Sequence, residues 1–198
     1  MSLDFSNISA LSDEQRVNLI AERVSDIITL MGEDVAREGL VKTPQRAAKA
    51  LYYLTSGYRS NAAETLSSAL FEHDGSKVVI VKDIEFYSLC EHHILPFYGR
   101  ISVAYLPGEK IVGLSKLARV VDACARKLQV QERLTREICD IVRSTLDAKG
   151  VLVVCEAQHM CMKMRGVEKQ DSSTTTFEYN GDFAEDSALR REVLDALR

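Results

Sequence analysis

Between Val78 and Tyr179 the hydrophobic period of the chain changes twice, and that change limits the folds open to it. Val78 to Phe86 and Arg100 to Leu106 are rich in β-branched and aromatic residues, as strands are, and Pro107-Gly108 turns the chain after them. Leu114, Leu117, Val121 and Cys124 then recur at helical spacing, and so do Leu134, Ile138, Ile141 and Leu146 ahead of Gly150. Val151 to Met164 alternates with period two, and Ser173 to Tyr179 reads as its partner across the loop Gly166–Ser172. The order ββααββ predicts an α+β domain.

Upstream, Ser12-Asp13-Glu14-Gln15 has the form of a capping box. Behind it Val17, Ile20, Val24, Ile27 and Met31 mark one amphipathic helix to about Leu30. Thr43-Pro44 opens a second helix, Thr43 as N-cap with proline in the first turn, running through Ala47, Leu51 and Leu54 to near Gly57. These helices read as an N-terminal arm, residues 1–75, ahead of a catalytic domain, residues 76–198. The tail from Ala184 is charged and helix-prone, and is expected to pack on the surface or on a neighbour.

With 46% hydrophobic and 27% charged residues the chain has the make-up of a folded globular protein. Its net charge of −4 supplies no global pull towards nucleic acid or an anionic membrane, so an anionic ligand must be held by a local cluster of Lys and Arg. No apolar run approaches the roughly 20 residues that span a bilayer. Met1 to Glu14 lacks the basic start and apolar stretch of a signal peptide, which predicts the cytoplasm and reduced thiols. Five cysteines, an odd number, also fit a closed disulfide framework poorly.

Three of the four histidines stand beside cysteines, in Cys90-Glu91-His92-His93 and His159-Met160-Cys161, whereas His73 reads as a solvated side chain. Cys90 and His93 have the C-x2-H spacing with which one tight turn aims two ligands at a point. Period two in the strand from Val151 predicts His159, Cys161, Lys163 and Arg165 on one face. Cys124, Cys139 and Cys155 sit among apolar residues and read as core. With no second C-x2-C or C-x2-H pair to close a structural site, three ligands and two spare histidines suggest an open, catalytic zinc site. Ser115, Lys116 and Arg119 near a helix start suit a phosphate, or are the Lys and Arg that surface helices commonly carry. Gln131-Glu132 is either first-turn carboxylate placement or a purine reader.

Together these segments resemble the GTP cyclohydrolase I family. The resemblance is carried by Glu38-Gly39-Leu40 with Thr43-Pro44-Gln45-Arg46, by Ser88-Leu89-Cys90-Glu91-His92-His93 with Pro96-Phe97 and Gly99, and by Gly113-Leu114-Ser115-Lys116-Leu117. It continues through Gln129-Val130-Gln131-Glu132-Arg133-Leu134-Thr135, His159-Met160-Cys161-Met162-Lys163-Met164-Arg165-Gly166 and Ser173-Thr174-Thr175-Thr176. It implies the tunnelling fold, ββααββ units joined into a barrel by oligomerisation, in a homodecamer of two stacked pentamers with active sites at subunit interfaces. It implies hydrolysis of GTP to 7,8-dihydroneopterin triphosphate and formate, with Zn2+ on Cys90, His93 and Cys161 and with His92 and His159 as the acid/base pair. It makes Glu132 with Gln131 the guanine reader and Ser115 a group near the ribose. Lys116, Arg119, Lys163, Arg165, Arg46 and Lys49 become candidates for the triphosphate, Lys163 more from strand phase than from the family pattern.

Overall fold

A computed structural model of the chain describes residues 8–72, 75 and 77–197, so His73 lies outside the described residues. It divides into two compact units, residues 1–55 and 56–198. Among the described residues no helix is long and apolar enough to cross a membrane.

The first unit pairs helix α1 (Asp13–Leu30) with helix α2 (Thr43–Leu54). The capping box forms as the sequence predicts: Ser12 Oγ accepts from the Gln15 N–H and Gln15 Oε1 accepts from the Ser12 N–H. Tyr52 donates to Asp13, and Gln45 to Asn18. Thr43 is not the N-cap of α2. Lys42 holds that position without a side-chain bond, and Thr43, one residue inside, donates weakly to the Gly39 carbonyl. The turn ahead of α2 already satisfies the Thr43 N–H through Leu40 O, so the chain enters the helix without a side-chain cap.

The second unit is α+β. A 3-10 turn (Ser56–Arg59) and helix α3 (Ala62–Ser67) precede strands β1 (Leu70–Glu72), β2 (Val79–Cys90), β3 (Pro96–Leu106) and β4 (Lys110–Val112). Helix α4 (Leu114–Ala125), strand β5 (Leu128–Gln129), helix α5 (Gln131–Leu146) and strand β6 (Gly150–His159) follow. Helix α6 (Met160–Lys163), strand β7 (Thr174–Gly181) and helices α7 (Asp182–Glu185) and α8 (Ser187–Ala196) complete it. The main sheet runs β5-β2-β3-β6-β7, antiparallel except for the β5–β2 pair, while β1 and β4 form a separate ribbon.

Alternation divides the sheet between two cores. Ile101, Val103 and Tyr105 of β3 and Val151, Val153 and Cys155 of β6 pack with Leu117, Val121, Leu134 and Ile138 of α4 and α5. Ala104, Leu106 and Leu152 face the other way, onto Phe183 and Val193, so the helical tail covers part of the second face. In β2 the inward residues are Val79 and Val81, then Ile84 and Phe86. A bulge between Val81 and Ile84, with Asp83 at φ 57° and its N–H on Ser102 Oγ, shifts the phase by one. Odd numbers point inward before it and even numbers after, which turns Cys90 rather than Leu89 to the α4–α5 side.

The alternation from Val151 to Met164 predicts one long strand, yet β6 stops at His159 and Met160–Lys163 make a helical turn. His159 pairs with Phe97, next to the start of β3 at Pro96, and β7 stops pairing at Ala157. Beyond His159 neither neighbour offers backbone to a strand, so the Met164 N–H closes back on the Met160 carbonyl. The shared strand face predicted for His159, Cys161, Lys163 and Arg165 therefore does not exist.

Candidate metal centre and active site

Cys90 ends β2, and the Glu91–Leu95 loop folds back on it. The Cys90 N–H donates to Leu95 O, while its carbonyl accepts from the N–H groups of His93 and Ile94. Ile94 closes the loop at φ 55°, a left-handed conformation that costs a β-branched residue on the order of 1–3 kcal/mol. The loop is also tied sideways: the Glu91 N–H donates to Gln129 O, and the Glu91 carboxylate pairs with Arg133 of α5. Arg133 Nε in turn donates to the buried Gln129 side chain.

Within this frame the thiols of Cys90 and Cys161 and a ring nitrogen of His93 all lie within 4.8 Å of one another, and no other such group occurs among the described residues. Two sulfurs and an imidazole at that separation match the ligand types and the reach of tetrahedral zinc, with bonds of about 2.0–2.3 Å and a fourth position open. The donor set fits the metal. Cys90 is buried, Cys161 half-buried and His93 exposed, so the point opens to solvent on one side. Burial and the neighbouring Cys90 push the Cys161 thiol up, and Arg165 opposes them. Arg165 also approaches His93 Nε2 at 3.4 Å. His92 Nδ1 lies 3.9 Å from Cys90 Sγ, and its side chain is 64% exposed.

His159 is held more tightly. Its ring lies parallel to Phe97 with centroids 4.7 Å apart, and its Nε2 is 2.8 Å from Gln131 Oε1. Burial lowers its pKa, with Glu132 acting in the opposite sense. Glu132 is exposed on the first turn of α5 and makes no hydrogen bond or ion pair among the described residues. Ser115 and Arg119 are exposed and Lys116 half-buried on the first turns of α4, and their side chains make no bonds of that kind either. Lys163 donates to Gln158 at 2.9 Å. Arg46 and Lys49 are exposed on α2, in the other unit.

Cys124, Cys139 and Cys155 are fully buried, as the sequence predicts, and burial pushes each thiol up to about 12. At pH 8 only about one in ten thousand of each is thiolate. Alkylation of the native metal-free protein at that pH is expected to leave these three cysteines unmodified, as counted by mass spectrometry of peptides. The unfolded chain ionises near its ordinary thiol pKa of about 8.5, below the folded value. Stability is therefore intact below that pH and falls as pH rises towards 12, by about 1.4 kcal/mol per pH unit for each thiol.

Sequence reading missed Phe97 as a support for the His159 ring, the Arg133–Glu91 clamp and the strained Ile94. Phe97, Glu91 and Arg133 fall within the motifs quoted above and act through partners distant in the chain, whereas Ile94 lies between two of those motifs and its strain comes from the closure of the loop on Cys90.

Fold and site define a class: an α+β domain whose three-ligand centre suits a metal ion and lies among histidines able to carry protons. The model of the family GTP cyclohydrolase I matches residues 20–198. The chain is 50% identical to "GTP cyclohydrolase 1" of Porphyromonas gingivalis, covering 96% of this chain and 98% of that protein. It is 56% identical to "GTP cyclohydrolase 1" of Bacteroides thetaiotaomicron over 87% of each chain. It is 53% identical to "GTP cyclohydrolase 1 2" of Pseudomonas aeruginosa, over 90% of this chain and 99% of that one. The chain belongs to the GTP cyclohydrolase I family, a family of enzymes.

Proposed function

We propose that the protein is a zinc-dependent enzyme that hydrolyses GTP to 7,8-dihydroneopterin triphosphate and formate, the first step towards folate- and biopterin-type pterins. The observation that carries this reading is the convergence of Cys90, His93 and Cys161 in a chain of this family. Zinc held by these three residues would supply a Lewis acid that acidifies water and polarises the purine at C8.

The remaining work falls to the chain's own groups. Glu132 accepts from N1–H and the 2-amino group of guanine, which orients the base. His92 and His159 carry protons to and from the imidazole part of the purine, N7 first, as its ring opens and C8 leaves as formate. Ser115 lies near the ribose and assists the rearrangement that closes the pterin ring. Lys116, Arg119, Arg165 and Lys163 hold the triphosphate, joined by Arg46 and Lys49 from the N-terminal arm of an adjoining subunit. The substrate brings up to four negative charges to a chain of net charge −4, so these local cations have to supply the attraction.

The working form is read as a cytoplasmic homodecamer of two pentamers in the tunnelling fold. Two features support an assembly: among the described residues β5 and β7 each have one partner strand, leaving two sheet edges to pair, and α1 has no buried residue. Incubating the zinc-loaded protein with GTP tests the activity. Stoichiometric formate and a dihydropterin absorbance are expected, and GTP recovered intact would overturn the reading.

A further inference from the structure

We propose that Gln131 is the positioning residue of His159, holding its imidazole with the hydrogen on Nε2 so that every proton it exchanges passes through Nδ1. This rests on the reading of His159 as a proton carrier. Gln131 is 2% exposed, and its amide is enclosed by protein on every polar side. Its Nε2 lies 3.0 Å from Cys155 O, 3.0 Å from Thr174 O and 3.1 Å from Thr176 Oγ1, while Oε1 lies 2.8 Å from His159 Nε2.

Those partners fix the direction of each bond. Two backbone carbonyls can only accept, so the amide nitrogen must face them and Oε1 must face the histidine. The reversed amide would set an oxygen against two carbonyl oxygens in a site closed to water. The hydroxyls agree. Thr135 Oγ1 donates to the Gln131 carbonyl at 2.8 Å, so Thr176, 2.7 Å away, donates to Thr135 and keeps its own lone pairs for the Gln131 amide. With Oε1 as acceptor, His159 Nε2 is the donor.

The same bond serves neutral and protonated imidazole alike, because Nε2–H donates in both. Only Nδ1 changes between them, and among the described residues no protein group bonds it. The Phe97 ring, fully buried and parallel to the imidazole, holds the plane in which Nδ1 points. With three acceptors around its nitrogen and the histidine on its oxygen, the Gln131 side-chain amide is committed within the protein rather than turned to a purine. That separates its role from that of Glu132, the next residue, which is exposed and makes no such bonds.

The test uses the zinc-loaded protein with 15N-labelled histidine. His159 is expected to show an Nε2–H resonance protected from exchange with water, identified by its loss in His159→Asn. Gln131→Met keeps the side-chain volume without an acceptor; it should lose that protection and lower kcat by roughly 10–100-fold with KM changed less than about twofold. An Nδ1–H tautomer, or an unprotected Nε2–H in the wild type, would overturn the proposal whether or not the variants fold. So would a Gln131→Met protein that raises KM at unchanged kcat, the signature of a base reader. The resonance is recorded without GTP. A protein that keeps it but releases no formate would therefore refute the cyclohydrolase reading and leave the tautomer assignment standing.

Discussion

Replacing Cys161 by alanine is expected to remove the metal and the activity together. Cys90, His93 and Cys161 are the one group of this kind among the described residues, so the substitution leaves two ligands at the point where three converge. Affinity should fall by more than the roughly 10–100-fold typical of losing an outer-shell partner, leaving the variant metal-free after dialysis. Folding should survive, since Cys161 sits half-buried on the short helix α6 at the margin of the core. Cys124→Ala is the control. It trims a fully buried thiol, costs some stability through the cavity, and should leave metal content unchanged. Metal analysis, formate release and a thermal melt of both variants decide the matter, and full zinc occupancy in Cys161→Ala would remove the assignment.

Glu132→Gln should abolish most of the preference for GTP over inosine triphosphate, which lacks the 2-amino group. A carboxylate accepts from both N–H donors of guanine, and the analogue leaves one of its lone pairs unmet, worth about 1–3 kcal/mol or roughly 5- to 150-fold. The ratio is the informative quantity. Glu132 also acts on His159 through its charge, so turnover of either nucleotide falls for that reason alone, whereas the ratio of kcat/KM cancels the shared loss. An unchanged ratio would assign the reading of the base to another residue.

Which of these residues were legible in advance follows from the range of the force that sets them. The Ser12–Gln15 capping box, α1 to Leu30 and the burial of Cys124, Cys139 and Cys155 were all readable, since each depends on neighbours within a turn or on local apolar pattern. The C-x2-H spacing of Cys90 and His93 was readable for the same reason. For Cys161 the family resemblance points to the cluster, whereas the strand phase from Val151 does not. Cys161 reaches the cluster from a helical turn, because the strand before it runs out of partners at Pro96 and Ala157.

By itself, then, the sequence determined the α+β order of the second unit, the capped helix of the first and the residue types gathered for metal and proton chemistry. Only the tertiary structure decided the phase of β2, which a bulge at Asp83 sets and which turns Cys90 inward. Only it decided where β6 ends, and that the amide of Gln131 is spent on Cys155, Thr174, Thr176 and His159 rather than left free. Period and capping are properties of a few consecutive residues. Strand phase after a bulge, strand length and the partners of a buried amide depend on which distant backbone lies alongside, and that is settled when the sheet assembles.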